Sequence, residues 1–203
     1  MYITDSRTVK DWQKTRESII DSSDQLEWRK AFKDFFWGRV QSRYLEPIHS
    51  LRNDDSYHGY GFTIMTLLCS LIEFLESCYE GKTYRRCHKN ELQVHEYNGS
   101  KQCFIDFLTK REPFSEKFSE VEAIDFYSSV RCGLLHEAST KNGWRIRGKS
   151  DSGVDIVCME TKTVYRDDFE AATIKYIKQY GEELVCDGPL QEAFIRKFDA
   201  LCG

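Results

Sequence analysis

The segment from Phe62 to Tyr79 limits the fold more than any other part of the chain. Phe62, Ile64, Met65, Leu67, Leu68, Leu71, Ile72, Phe74 and Leu75 leave almost no polar face. A helix that is apolar on most sides must be surrounded, which predicts the central member of a helical bundle. Glu73 interrupts this surface, and a carboxylate there needs either a wet stripe or a partner. No run is read as the ~20 uninterrupted apolar residues that cross a bilayer, so no membrane association is expected.

The neighbouring segments follow the same logic. From Ser23 to Tyr44, the residues Leu26, Phe32, Phe35, Phe36, Trp37 and Val40 recur at helical spacing. Pro47 is expected to end or turn that helix. Ser50 to Gly61 reads as a loop, and Gly81 to Ser100 as a charged connection or weak helix. Cys103 to Leu108 is apolar at helical spacing, with Pro113 in a turn beyond it. A further helix is predicted from Ser119 to about His136, burying Val121, Ile124, Phe126, Tyr127, Val130, Leu134 and Leu135. Alternation in Trp144–Arg147, Val154–Val157 and Thr161–Val164 then predicts a small antiparallel β-hairpin or meander over residues 143–165. Asp167 or Asp168 caps a helix running through Tyr180, with Gly181 near its end, and Leu190 to Leu201 forms a terminal helix. The fold class is mainly α: one domain over residues 1–203, with residues 1–50 as a helical extension.

A chain of 203 residues can bury a core without help from metal or disulfides. Met1 to Lys10 is polar and no apolar signal segment follows, which predicts a cytoplasmic protein with reduced thiols. The eight cysteines include no C-x-x-C pair, and Cys87, His88, His95 and Cys103 match no common zinc spacing. No metal and no cofactor are expected, and no phosphate-binding glycine loop occurs. The net charge of -4 argues against a wholesale nucleic-acid coat. It leaves room for local basic patches. One holds Lys82, Arg85, Arg86, His88 and Lys89. The other holds Lys141, Arg145, Arg147 and Lys149, with Trp144 among them.

The segment that carries chemistry is Phe126-Tyr-Ser-Ser-Val-Arg-Cys-Gly-Leu-Leu-His-Glu137. It sets Arg131 and His136 five residues apart late in a helix, about 140° of rotation and about 7.5 Å of rise. An Arg, four to six residues and a His near the end of a late helix resembles the motif of HEPN domains. The apolar helix bearing Glu73 is similar to the acidic core helix of those proteins. The resemblance covers about Gly59 to Tyr180. It implies metal-independent cleavage of RNA by a homodimer that brings two motifs to one cleft, in prokaryotic defence or stress response. It further implies Arg131 and His136 as catalytic groups, with Glu73 orienting one of them.

The residue types suit that chemistry. A His can move protons near neutral pH, and an Arg can hold a phosphate and offset charge growing on it. Lys141, Trp144, Arg145 and Arg147 would grip RNA, Trp144 by stacking on an unpaired base. Cys132 stands where active members carry a polar residue after the Arg, and Ala138 where one toxin branch carries Tyr. The alternative is therefore a non-catalytic HEPN module that binds a regulatory protein partner or a ligand. Plainer readings also stand: His136 as a cation at a helix C-terminus, and Arg131 as the ion-pair partner of Glu73 or Asp125.

Overall fold

A computed structural model describes residues 1–53 and 59–203, so the middle of the loop expected from Ser50 to Gly61 lies outside the described residues. The protein is mainly helical. Its chain contacts divide into two compact units: Met1–Pro47 with Ser77–Gly99 and Lys178–Gly203, and Ile48–Glu76 with Ser100–Ile177. Residues expected as an N-terminal extension thus share a unit with the end of the chain.

In the first unit, α1 (Val9–Ile19) opens with a reciprocal cap in which Thr8 and Asp11 satisfy each other's backbone. The chain is then helical from 25 to 52, passing into the second unit at Ile48. It runs as α2 (Gln25–Ala31), α3 (Gly38–Val40) and α4 (Glu46–Arg52), joined by wide π turns at Phe32–Trp37 and Gln41–Leu45. Of the two outcomes expected at Pro47, an end or a turn, the end does not occur, since α4 runs through it. The π turn just before it widens the backbone where the pyrrolidine ring and the missing N–H would otherwise break the ladder.

An aromatic cluster holds this unit together. The Trp12 ring lies 5.1 Å from Phe35 and 5.2 Å from Phe198, edge-on or tilted as ring quadrupoles prefer. Its indole N–H donates to Asp199 at 2.8 Å.

The predicted central helix is α5 (Tyr60–Tyr79). By length and composition it is apolar enough to cross a membrane, which the sequence reading did not allow for. Yet 56% of its apolar window is buried within the protein. Glu76 inside it is 1% exposed and held bidentately by Arg111 at 2.9 Å and 2.9 Å. A desolvated carboxylate so paired marks a core helix. The region expected as a connection or weak helix instead pairs β1 (Thr83–Tyr84) with β2 (Glu96–Tyr97) in parallel.

The second unit continues with α6 (Ser100–Lys110), then α7 (Glu120–Phe126), a π turn at Tyr127–Arg131 and α8 (Cys132–Glu137). Phe126 is the hub of its core, 5.3 Å from Phe118, 5.1 Å from Trp144 and 5.9 Å from Phe169.

The predicted hairpin exists only in part. β4 (Val157–Cys158) and β5 (Thr163–Tyr165) are antiparallel, but β3 (Arg145–Arg147) lies on the far side of β5 and runs parallel to it, giving the order β3-β5-β4. Alternation fixes which face a residue takes, not which strand it joins. α9 (Arg166–Leu184) carries Asp167 and Asp168 in its first turn, where the helix dipole favours carboxylates. It runs past Gly181, whose added Cβ would sit 2.8 Å from the Phe32 ring. Gly181 therefore serves close packing and not helix termination. α10 (Gly188–Cys202) closes the chain behind an Asp187 cap and Pro189.

Candidate functional site

The helix that carries Arg131 and His136 is fixed at both ends by local chemistry. At its start, Ser119 and Glu122 form a capping box, with the Ser119 N–H donating to the Glu122 carboxylate at 2.8 Å. At its end, Ala138 takes the left-handed conformation, φ 51°. The chain then folds back along the same helix. The Lys141 N–H donates to the Ser129 carbonyl at 2.9 Å, and the Asn142 amide donates to the Ser129 hydroxyl at 2.9 Å. Gly133 makes this return possible, because a Cβ there would meet the Ser139 carbonyl oxygen at 2.5 Å.

The π turn ends on Arg131. Such turns insert one extra residue into a helix and recur at functional sites. The Arg131 guanidinium reaches across to α5, 3.5 Å from Glu73, and lies 5.5 Å from the centre of the Tyr127 ring. Both members of the pair are partly wet, with side chains 18% and 23% exposed. This is a looser contact than the buried Glu76–Arg111 pair one turn further along α5.

The Tyr127 phenol exchanges a hydrogen bond with Ser100 at 3.0 Å. Burial pushes it above its ordinary value, against the opposing effects of that hydrogen bond and of Arg131. On the neighbouring turn of α5, burial drives the Cys69 thiol up to about 12, which keeps it neutral.

His136 stands differently. It is exposed on the last turn of α8, and no hydrogen bond or ion pair engages it among the described residues. None joins it to Arg131 either. The structure therefore unites two of the three expected residues, Arg131 and Glu73, and leaves His136 open to solvent on the same helix. Between them on that helix, Leu134 is buried and Leu135 is 54% exposed. Val121 and Ile124, also expected in the core, are exposed as well.

The basic segment that follows divides in two. Arg145 and Arg147 are exposed on β3, on either side of half-buried Ile146. Lys141 is exposed and paired with Glu137 at 3.2 Å. Trp144 does not present the open ring expected of it. It is 4% exposed, packed edge-on against Phe126, and its indole N–H donates to Asp125 at 3.0 Å. The core needed a large ring beside Phe126, and no face of Trp144 remains for a base.

Asp125 gathers three donors, Ser129 at 2.8 Å, Trp144 at 3.0 Å and Lys162 at 3.1 Å. Burial works to raise its carboxyl, but these hydrogen bonds and the Lys162 charge carry it below the ordinary value. It is therefore not the partner of Arg131.

The Glu76–Arg111 pair escaped the sequence reading. Its signal was a second Glu three residues after Glu73 on the most apolar helix, one turn further round. Among the described residues, no three His, Cys, Asp or Glu side chains come together as metal ligands. No protein-family model matches the chain, and comparisons with curated proteins and with solved structures give no match.

Proposed function

We propose that the protein is a metal-independent endoribonuclease of the HEPN type, acting in the cytoplasm on RNA, with Arg131 and His136 as catalytic groups and Glu73 as the residue that positions Arg131. The observation that carries this reading is the loose, partly wet Glu73–Arg131 pair, set at a π turn of the helix that presents an unengaged His136. A guanidinium held at 3.5 Å by one carboxylate keeps donors for a phosphate.

In the reaction, the ribose 2′-oxygen attacks phosphorus and the bond from phosphorus to the 5′-oxygen breaks. His136 takes the 2′-OH proton, and a second imidazole, from a partner copy, protonates the leaving 5′-oxygen. Arg131 neutralises charge on the non-bridging oxygens. The products are a 2′,3′-cyclic phosphate and a 5′-hydroxyl. The partner copy is a homodimer mate, and Leu135, 54% exposed directly before His136, is an apolar side chain that such a mate could cover.

End-group analysis tests this reading. Cleavage products should carry 2′,3′-cyclic phosphate and 5′-hydroxyl ends, and Arg131→Ala should remove them while circular dichroism stays unchanged. Products with 5′-phosphate ends would refute the chemistry.

One observation favours a second reading. Arg131 is already internally paired, and Cys132 follows it. That arrangement suits a non-catalytic module whose motif helix docks a regulatory protein, and such a module would produce no ends of either kind.

A further inference from the structure

We propose that β3 and the residues just after it form a grip that reads the backbone of single-stranded polynucleotide and no base, built from Arg145, Arg147 and Lys149. This rests on the reading of Arg131 and His136 as groups that act on RNA. β3 is an edge strand, paired on one side only, with β5. Side chains two apart on a strand share a face, so Arg145 and Arg147 leave β3 on one face with their backbones about 7 Å apart. Both are exposed, as is Lys149 two residues further on.

Charge pairing separates these three from their neighbours. Lys141 is engaged by Glu137 at 3.2 Å, Lys162 by Asp125 at 3.1 Å and Arg166 by Asp167 at 3.3 Å. Among the described residues, no ion pair or side-chain hydrogen bond engages Arg145, Arg147 or Lys149. Positive charge that lacks a protein partner in this part of the chain is thus gathered on one short strand and its exit.

What the strand lacks is equally informative. Sequence-tolerant single-strand binders add stacking rings worth about 1–3 kcal/mol per base to such charges. Of the rings at this strand, Trp144 is turned into the core with its N–H occupied, and Tyr165, paired with Arg147 across β5, is half-buried. Charges without rings hold phosphates and carry no base information. The four steps from Arg145 to Lys149 reach at most about 13 Å. That is too short to bridge the successive grooves that duplex-RNA readers span, and it fits neighbouring phosphates of one strand.

Three phosphate contacts on a single strand give a salt slope of about -2 in log K against log salt. Between 50 and 200 mM salt, affinity should therefore fall by roughly twentyfold. The test is fluorescence anisotropy of the wild-type chain with labelled oligo-dT and oligo-dA, which lack the 2′-OH and cannot be cut. Expected are affinities for the two within about threefold, the slope of about -2, and a slope of about -0.7 for the Arg145→Ala/Arg147→Ala double variant.

An unchanged slope in the double variant, a tenfold preference between the two oligomers, or tighter binding to duplex would overturn the proposal. Cleavage of RNA is scored separately. If the wild type cuts RNA and the double variant keeps the wild-type slope, the grip alone is removed. Protein that binds as expected and cuts nothing removes the nuclease reading and leaves the grip standing.

Discussion

Replacing Trp144 by Phe separates a structural ring from a nucleic-acid contact. The substitution keeps an aromatic ring beside Phe126, now 5.1 Å away at 89°, and deletes the N–H that donates to Asp125. A hydrogen bond to a charged acceptor contributes about 1.5–3 kcal/mol. Asp125 keeps Ser129 and Lys162, so it is not left bare, and the lower end of that range applies. The smaller ring also leaves a void at a site that is 4% exposed. The sum is about 2 kcal/mol, against about 3–5 kcal/mol for Trp144→Ala, which loses the ring altogether.

Urea unfolding reads this directly. With a slope near 2 kcal/mol per molar, the midpoint should fall by about 1 M for Trp144→Phe. Far-UV circular dichroism and fluorescence midpoints should coincide if the transition is two-state. RNA affinity of the folded variant should stay within about twofold of wild type, since no face of the ring is open. A variant as stable as wild type that binds RNA tenfold more weakly would refute the reasoning, because it would mean the ring meets ligand.

Other residues give sharper local tests. Gly133→Ala should destabilise by about 1–3 kcal/mol, as its Cβ meets a backbone oxygen at 2.5 Å, whereas Gly99→Ala, with nothing within 4 Å, should stay within about 0.5 kcal/mol in the same urea assay. Glu76→Ala removes the carboxylate that Arg111 grips bidentately in a buried site and should cost about 3–5 kcal/mol, while the Glu76→Met/Arg111→Met double variant should recover most of that loss in thermal melts. Asp125 has a folded value held below 3.8, so its stabilisation is present above 3.8 and is lost as pH falls through the lower folded value. The stability gap between wild type and Asp125→Asn, measured by urea midpoints, should therefore be full at neutral pH and close in acid below 3.8. A gap that widened in acid would reverse the assigned sign.

The sequence revealed what periodicity and caps encode. The apolar run of α5 and the stripe from Ser119 to His136 both became helices within a residue or two of the reading. α1 went unread because only Trp12 and Ile19 are buried along it, too few for a stripe, although Thr8 and Asp11 already spelled a cap. The parallel pairing of β3 with β5 is a choice among partners, which local alternation does not express. Of the two readings of Pro47, a helix end is excluded, because the helix continues through it, and the π turn just before it leaves no mark in residue types.

At the site, Glu73 was one of the two carboxylates expected to pair with Arg131, Asp125 being the other. The role given to Trp144 failed for a tertiary reason. Basic residues around an aromatic look alike whether the ring points out or in, and only Phe126 and Asp125, nearly twenty residues earlier, decide which.

His136 is exposed and unengaged among the described residues, so removing it should leave the fold unchanged. The measurement is cleavage of end-labelled single-stranded RNA in EDTA, wild type beside His136→Ala, with matched circular dichroism. Cutting by the wild type that survives EDTA and disappears in the variant is the predicted result. No cutting by the wild type, or equal cutting by both proteins, would contradict it.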